Sequence, residues 1–400
     1  MTETQEYHRH MSASQPARRW PRLAVFGSLL VISGLLATFA APTVSAQPSA
    51  EPAHQPWQRA EAPFTPTDLQ LWDVIAGGPG FIAVGGGFEA GQEVGTAAIW
   101  VSEDGRTWQS VALLGDAATG IPRSITATPD GYVAVGSGCC PDRAAVWLSS
   151  DGLAWERLPD QPGFADAAML GVTWMDDGLV AVGCSAQLEC FGGLSWTSSD
   201  GRTWSLPVAL DLLPVAVSAT TAGTLAVGSS EPYEGSAALA MTIDGSDWSA
   251  SSIIAPSGSL DAAIDTPMGI LAVGGTTDPR NGRAVTLAFT SSDGLAWEPL
   301  EGQGLERIWV EDITAAPDGW LLTGWSTKRS GQLPATLWTT DLATFGTIPF
   351  PRELKEGGQL HAGAIASDGT TMVVVGSTIL NRGEVPTAWV RDGSGASTTD

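Results

Sequence analysis

Five side chains able to grip a polar ligand stand at one recurring place in this chain. Trp72, Arg123, Asp261, Glu311 and His361 each lie eight residues before a turn glycine (Gly80, Gly131, Gly269, Gly319 and Gly369), where two further copies of the pattern carry Leu170 and Val215. An indole, a guanidinium, two carboxylates and an imidazole converging on one opening would bind a polar ligand such as a sugar. A hydrated channel lined by paired charges uses the same residues and is the plainer use of them. Other chemistry has little material. Beyond residue 46 the histidines are His54 and His361, too few for a zinc cluster, and the aspartates lack EF-hand spacing. Gly85-Gly86-Gly87 has no following Lys-Ser/Thr and opens no helix, so it cradles no phosphate. No metal or cofactor is expected. A net charge of −24 on 400 residues repels phosphate backbones and excludes nucleic acid as a partner.

The elements that position these residues repeat. FIAVGG from Phe81, YVAVGS from Tyr132, LVAVGC from Leu179, TLAVGS from Thr224, ILAVGG from Ile270, WLLTGW from Trp320 and MVVVGS from Met372 place a shared glycine about every 48 residues, from Gly85 to Gly376. A turn glycine precedes each, four times as Asp-Gly, so every repeat begins with two antiparallel strands joined by a short turn. A third strand then ends on Asp104, Asp151, Asp200, Asp244, Asp293, Asp341 or Asp392. Four residues after the first five of these aspartates come Trp108, Trp155, Trp204, Trp248 and Trp297, with Phe345 in the sixth repeat. The carboxylate and the preceding hydroxyl can accept the free N–H groups of the turn, glycine takes its strained corner, and the indole buries beside it. This packing role accounts for five of the 17 tryptophans and for much of their excess over tyrosine.

Four strands per repeat and seven repeats predict an all-β, seven-bladed propeller over residues 57–393. The seventh repeat stops after its third strand, while Trp57-Gln58-Arg59 matches Trp108-Gln109-Ser110, so the N-terminal strand is expected to complete the last blade and remove the open edge. The Ser-x-Asp-Gly-x-x-Trp run resembles the Asp-box of the BNR, sialidase-like β-propellers, one residue shorter than their common form. Kelch propellers share the glycine pair and a later tryptophan, but not the aspartate at fixed spacing. The resemblance implies that the loops between second and third strands share a face with the channel mouth, opposite the Asp-boxes. It also implies what catalysis would need: a tyrosine nucleophile with a glutamate, an acid/base aspartate and three arginines. Tyr233 with Glu231 and Glu234 beside it is the one candidate set, with Arg123, Arg143, Arg280, Arg283, Arg329 and Arg382 available on that face. Tyr132 belongs to a hairpin on the other face, and the family's Arg-Ile-Pro order is absent.

Arg18, Arg19 and Arg22 precede an uncharged stretch from Leu23 to Ala41, and Val44-Ser45-Ala46 offers a cleavage site. Residues 1–46 therefore read as a signal peptide or, uncleaved, as a membrane anchor; either way the remainder lies outside the cytoplasm. Residues 47–56 read as a linker and 394–400 as a flexible tail. Cys139, Cys140, Cys184 and Cys190 lie in corresponding loops of repeats two and three, which in an exported chain favours disulfides. Pairing Cys184 with Cys190 would leave a strained vicinal bond, so staples between the two blades are expected. The whole reads as an exported, non-catalytic, monomeric module that presents variable loops to a glycan, peptide or protein. A glycoside hydrolase and a scaffold without a small ligand are the alternatives.

Overall fold

Each repeat's run before its shared glycine becomes the second strand of a sheet covered on both sides, and Phe81, Ile82, Ala83 and Val84 are fully buried there. In this computed structural model, seven four-stranded antiparallel sheets follow one another through the unit Pro52–Asp400. The structure describes residues 55–61, 69–88, 94–138, 143–175, 177–186, 190–231, 235–242, 244–250, 252–305, 307–328, 331–351, 359–380 and 383–393. The expected leader 1–46, most of the linker, the tail 394–400, Cys139, Cys140, Tyr233, Glu234, Arg329 and Arg382 lie outside them.

The innermost strands of blades one to seven are Leu69–Gly77, Ile121–Thr128, Ala167–Met175, Leu213–Thr220, Ser259–Thr266, Trp309–Ala316 and Gln359–Ser367. Every one carries a β-bulge opposite the shared glycine, as where the register jumps from Leu71 to Asp73 against Gly85 and Val84. The bulge explains the glycine. A Cβ on Gly85 would stand 1.9 Å from the Gln70 carbonyl oxygen, and one on Gly136 2.0 Å from that of Ile121. No side chain fits there.

The outer edge is built by the Asp-boxes. In blade two the Asp151 carboxylate accepts the amides of Leu153 at 2.8 Å and Ala154 at 2.9 Å, and Ser149 Oγ accepts that of Gly152 at 2.8 Å. Gly152 takes φ 78°, and the Trp155 indole donates back to its carbonyl at 2.9 Å. Blade five repeats the arrangement with Asp293, Gly294 and Trp297. Blade six uses Leu342 at φ 57° where the others have glycine. Blade four departs in one bond, since Trp248 donates to Ser195 Oγ of blade three.

Blade seven closes as the repeat arithmetic requires. Gln58–Arg59 pairs antiparallel with Gly383–Asp392, Gln58 opposite Val390 and Arg59 opposite Trp389. Trp57 is 1% exposed, donates from Nε1 to Thr336 Oγ1 at 2.8 Å and stacks on Phe350. Arg106 of the blade-one box forks onto Asp392 at 2.6 and 2.7 Å, a second tie across the same seam.

Candidate functional site at the channel mouth

The extra residue that each bulge inserts is Trp72, Arg123, Leu170, Val215, Asp261, Glu311 or Gly363. Six match the positions counted back from the turn glycines. The seventh does not: His361 precedes the bulge and pairs with Ser377. The turn of blade seven is longer, running through Asp368, Gly369 and Thr370, so a count taken from its glycine slips. Gly363 is the true equivalent, and it leaves a gap in the ring of side chains.

A cavity of about 710 Å³ opens at this level, with Trp72, Val215, Asp261, Glu311 and Gly363 in its wall. Loops between second and third strands add Cys190 of blade three and Glu231 of blade four. Mouth and variable loops thus share a face, as the resemblance implied. Trp309 and Trp325 line the cavity too, stacked with centroids 5.4 Å apart and planes 13° from parallel. Trp309 donates its indole N–H to Asp261, whose other carboxylate oxygen accepts from Ser259 Oγ at 2.7 Å. Burial pushes the Asp261 carboxyl up to about 7, against those two hydrogen bonds and with the Glu311 charge adding to the rise. Arg123 lies 3.8 Å from the Trp72 ring centroid, a cation–π contact between blades two and one, and burial lowers its guanidinium to about 10.

Two carboxylates beside the bulges escaped the sequence reading. Asp73 accepts from Ser124 Oγ at 3.0 Å and from the Ile125 amide at 2.9 Å, tying blade one to blade two. Asp312 accepts the Ile365 amide at 2.8 Å, tying blade six to blade seven. Burial raises Asp73 to about 6; burial and then the Asp73 charge raise Asp312 to about 8. Their one sequence signal is an aspartate directly after the mouth position in two repeats.

Of the set that hydrolysis would require, Glu231 reaches the cavity, while Tyr233 and Glu234 lie outside the described residues. Tyr132 sits in the hairpin region of blade two, as expected, and its hydroxyl accepts the Gly78 amide of the blade-one turn. Arg143 pairs with Asp160 at 3.3 Å. The expected staples between blades are replaced by one bridge, Cys184–Cys190, with Cα atoms 4.8 Å apart. The physical reason is local: Cys190, at φ 63°, donates its amide to the Ser185 carbonyl, and this tight return brings it beside Cys184 within one loop.

No protein-family model matches the chain, and no curated protein matches it in sequence. Solved structures do match in fold. YCF48 bound to D1 peptide is 16% identical with a TM-score of 0.53, the match covering 85% of this chain and 97% of that one. The sialidase of Trypanosoma rangeli in complex with the inhibitor DANA is 12% identical with a TM-score of 0.46, over 84% of this chain and 59% of that one. The same sialidase with sialic acid gives 13%, 0.44, 74% and 56%, so this chain spans less than two thirds of the sialidase's length. In fold, then, the chain is a seven-bladed Asp-box propeller of the kind seen in YCF48.

Proposed function

We propose that this propeller is a non-catalytic binding module that seats a peptide segment of a partner protein at the loop-side mouth of its channel. The observation that carries the reading is the 710 Å³ cavity, walled by three tryptophans and by side chains that differ from blade to blade. Repeats that keep their packing residues while the residues at one opening differ from blade to blade offer that opening for recognition. Phe191, 56% exposed beside the Cys184–Cys190 bridge, and Phe88, 45% exposed in the corresponding loop of blade one, give that face apolar contacts beyond the cavity. A propeller of this fold, YCF48, is described with a peptide bound. The bridge suits an oxidising compartment outside the cytoplasm, and among the described residues no helix is long and apolar enough to cross a membrane. Selection of a displayed random peptide library against the purified protein tests this. Selected peptides should lose at least tenfold in affinity on Trp325→Ala. Peptides indifferent to that change, or a library with no binders, would sink the proposal.

One observation favours a second reading, glycoside hydrolysis by a carboxylate pair: Asp261, held near neutrality, shares the cavity with Glu311. Turnover of any member of a fluorogenic glycoside panel, lost in Glu311→Gln, would put this reading first. A flat panel removes it.

A further inference from the structure

We propose that the group admitted to this mouth is a cation, the guanidinium or ammonium of an arginine or lysine side chain, held between the carboxylates of Asp261 and Glu311 and the indoles of Trp309 and Trp325. This rests on reading the mouth as a peptide site and names the side chain the site selects.

The charge of the wall is one-sided. Among its described lining residues the cavity has three carboxylates, Glu231, Asp261 and Glu311, and neither lysine nor arginine. The nearest arginine in the bulge ring, Arg123, is turned onto the Trp72 indole and stays outside the lining. Asp261 and Glu311 stand on blades five and six in the wall of the same cavity, close enough for the Glu311 charge to act on Asp261. The aromatic part of the wall is fixed at the same place. Trp309 is held by its N–H bond to Asp261, by stacking on Trp325, and by Gly275, whose missing Cβ would stand 2.5 Å from the indole. Indole faces carry the negative end of the aromatic quadrupole, so they add to the attraction for a cation and repel an anion. The cavity is far larger than an ammonium ion, which suits a long side chain entering with part of its backbone.

The carboxylates reinforce this. Asp261 is costly to ionise alone because burial and Glu311 both oppose its charge; a cation between them removes that opposition. Among the strands packed against the Asp261 strand, the titratable groups are Glu311 and Asp312 on the Trp309–Ala316 strand, and Asp265 lies on its own. All are acids. Among these described strands nothing titratable offers Asp261 a positive partner, and a cationic ligand would supply one.

The test is calorimetry on the purified protein with three blocked tripeptides, Gly-Arg-Gly, Gly-Lys-Gly and Gly-Gln-Gly. At pH 8 the arginine and lysine peptides should bind at least tenfold tighter than the glutamine peptide. The preference should shrink at pH 5.5, with proton release on binding between these limits. Glu311→Gln and Asp261→Asn should each remove the preference, while unfolding curves show both variants folded. Equal binding of all three peptides that is lost in Trp325→Ala would overturn the cation inference and leave the peptide reading standing. A preference that survives both carboxylate variants, or absence of binding by all three peptides, would also overturn it. The library selection above decides separately whether peptides bind at all.

Discussion

Aspartate does opposite work on the two faces of this propeller. On the box face Asp151, Asp244, Asp293 and Asp341 each accept two turn amides, which hold them below the ordinary carboxylate value, Asp244 at about 2. At the channel Asp73, Asp261 and Asp312 are driven upward by burial, to about 6, 7 and 8. The box aspartates stand in water with amide partners, so ionisation is favoured and the turn gains from it. The channel aspartates have partners too, yet desolvation outweighs them, helped by neighbouring acids at Asp261 and Asp312. A side chain repeated in every blade to the same partners is part of the architecture. Asp73 and Asp312 bear the cost of burial to tie one blade to the next, whereas Asp261 stands in a single blade with no such tie to a backbone amide, which makes it a candidate for recognition.

Substitutions can sharpen or break this contrast. The largest effect should come from Trp108→Ala, which empties a box site only 1% exposed and should cost about 3–5 kcal/mol in urea unfolding. Trp325→Ala at the mouth should cost about 0.5–1.5 kcal/mol, the worth of a stacked pair, while weakening peptide binding at least tenfold. Equal stability losses at the two positions would erase the distinction between packing face and binding face.

Next in size is the pH profile of Tm. A carboxyl whose folded value lies above its unfolded one binds extra protons in the folded state, so stability falls as pH rises. For Asp73, Asp261 and Asp312 that window runs from the ordinary 3.8 up to about 8. The box aspartates act the other way, and their contribution is lost as pH falls below 3.8 towards about 2. Stability should therefore peak between pH 4 and 5, and Asp261→Asn should flatten the decline on the alkaline side. A profile that keeps rising to pH 8 would contradict the burial of these carboxylates.

Smaller again, Asp104→Ala should lower Tm by about 1–2 °C through loss of its bonds to the amides of Arg106 and Thr107, whereas Asp261→Asn should raise Tm at pH 8. The smallest effect should follow reduction of Cys184–Cys190. The bridge closes a loop of only six positions, so Tm should scarcely move, while peptide affinity weakens modestly as Cys190 leaves the wall.

The fold was legible because its signals are local and recur: glycine before each second strand, Asp-Gly-x-x-Trp after the third strand of five repeats, and Trp57 as the displaced member of the last set. The bulge position was legible in six blades and misread at His361, because a position inside a bulge is fixed by the strand it opposes, and the distance to a turn varies with the turn. Counting from the shared glycine instead leads to Gly363. Asp73 and Asp312 were passed over for a different reason. Their partners are backbone amides of the next blade, and an amide leaves no mark in a sequence. The disulfide hinged on Cys190 adopting a left-handed backbone, which residue spacing does not encode.

The clasp of Gln58–Arg59 on the final strand has a consequence for the order of events in folding. Six sheets are contiguous in the chain and can form as they are made, but the seventh needs a strand synthesised first and a strand synthesised last. Until both are present, Trp389 has no outer neighbour. Closure is thus the pairing of greatest sequence separation, and a ring without it carries an unpaired edge that another copy could occupy. The ring is also weakest under tension there: pulling the two ends apart loads two residue pairs directly, so it should open as a hinge at blade seven before any other blade is disturbed.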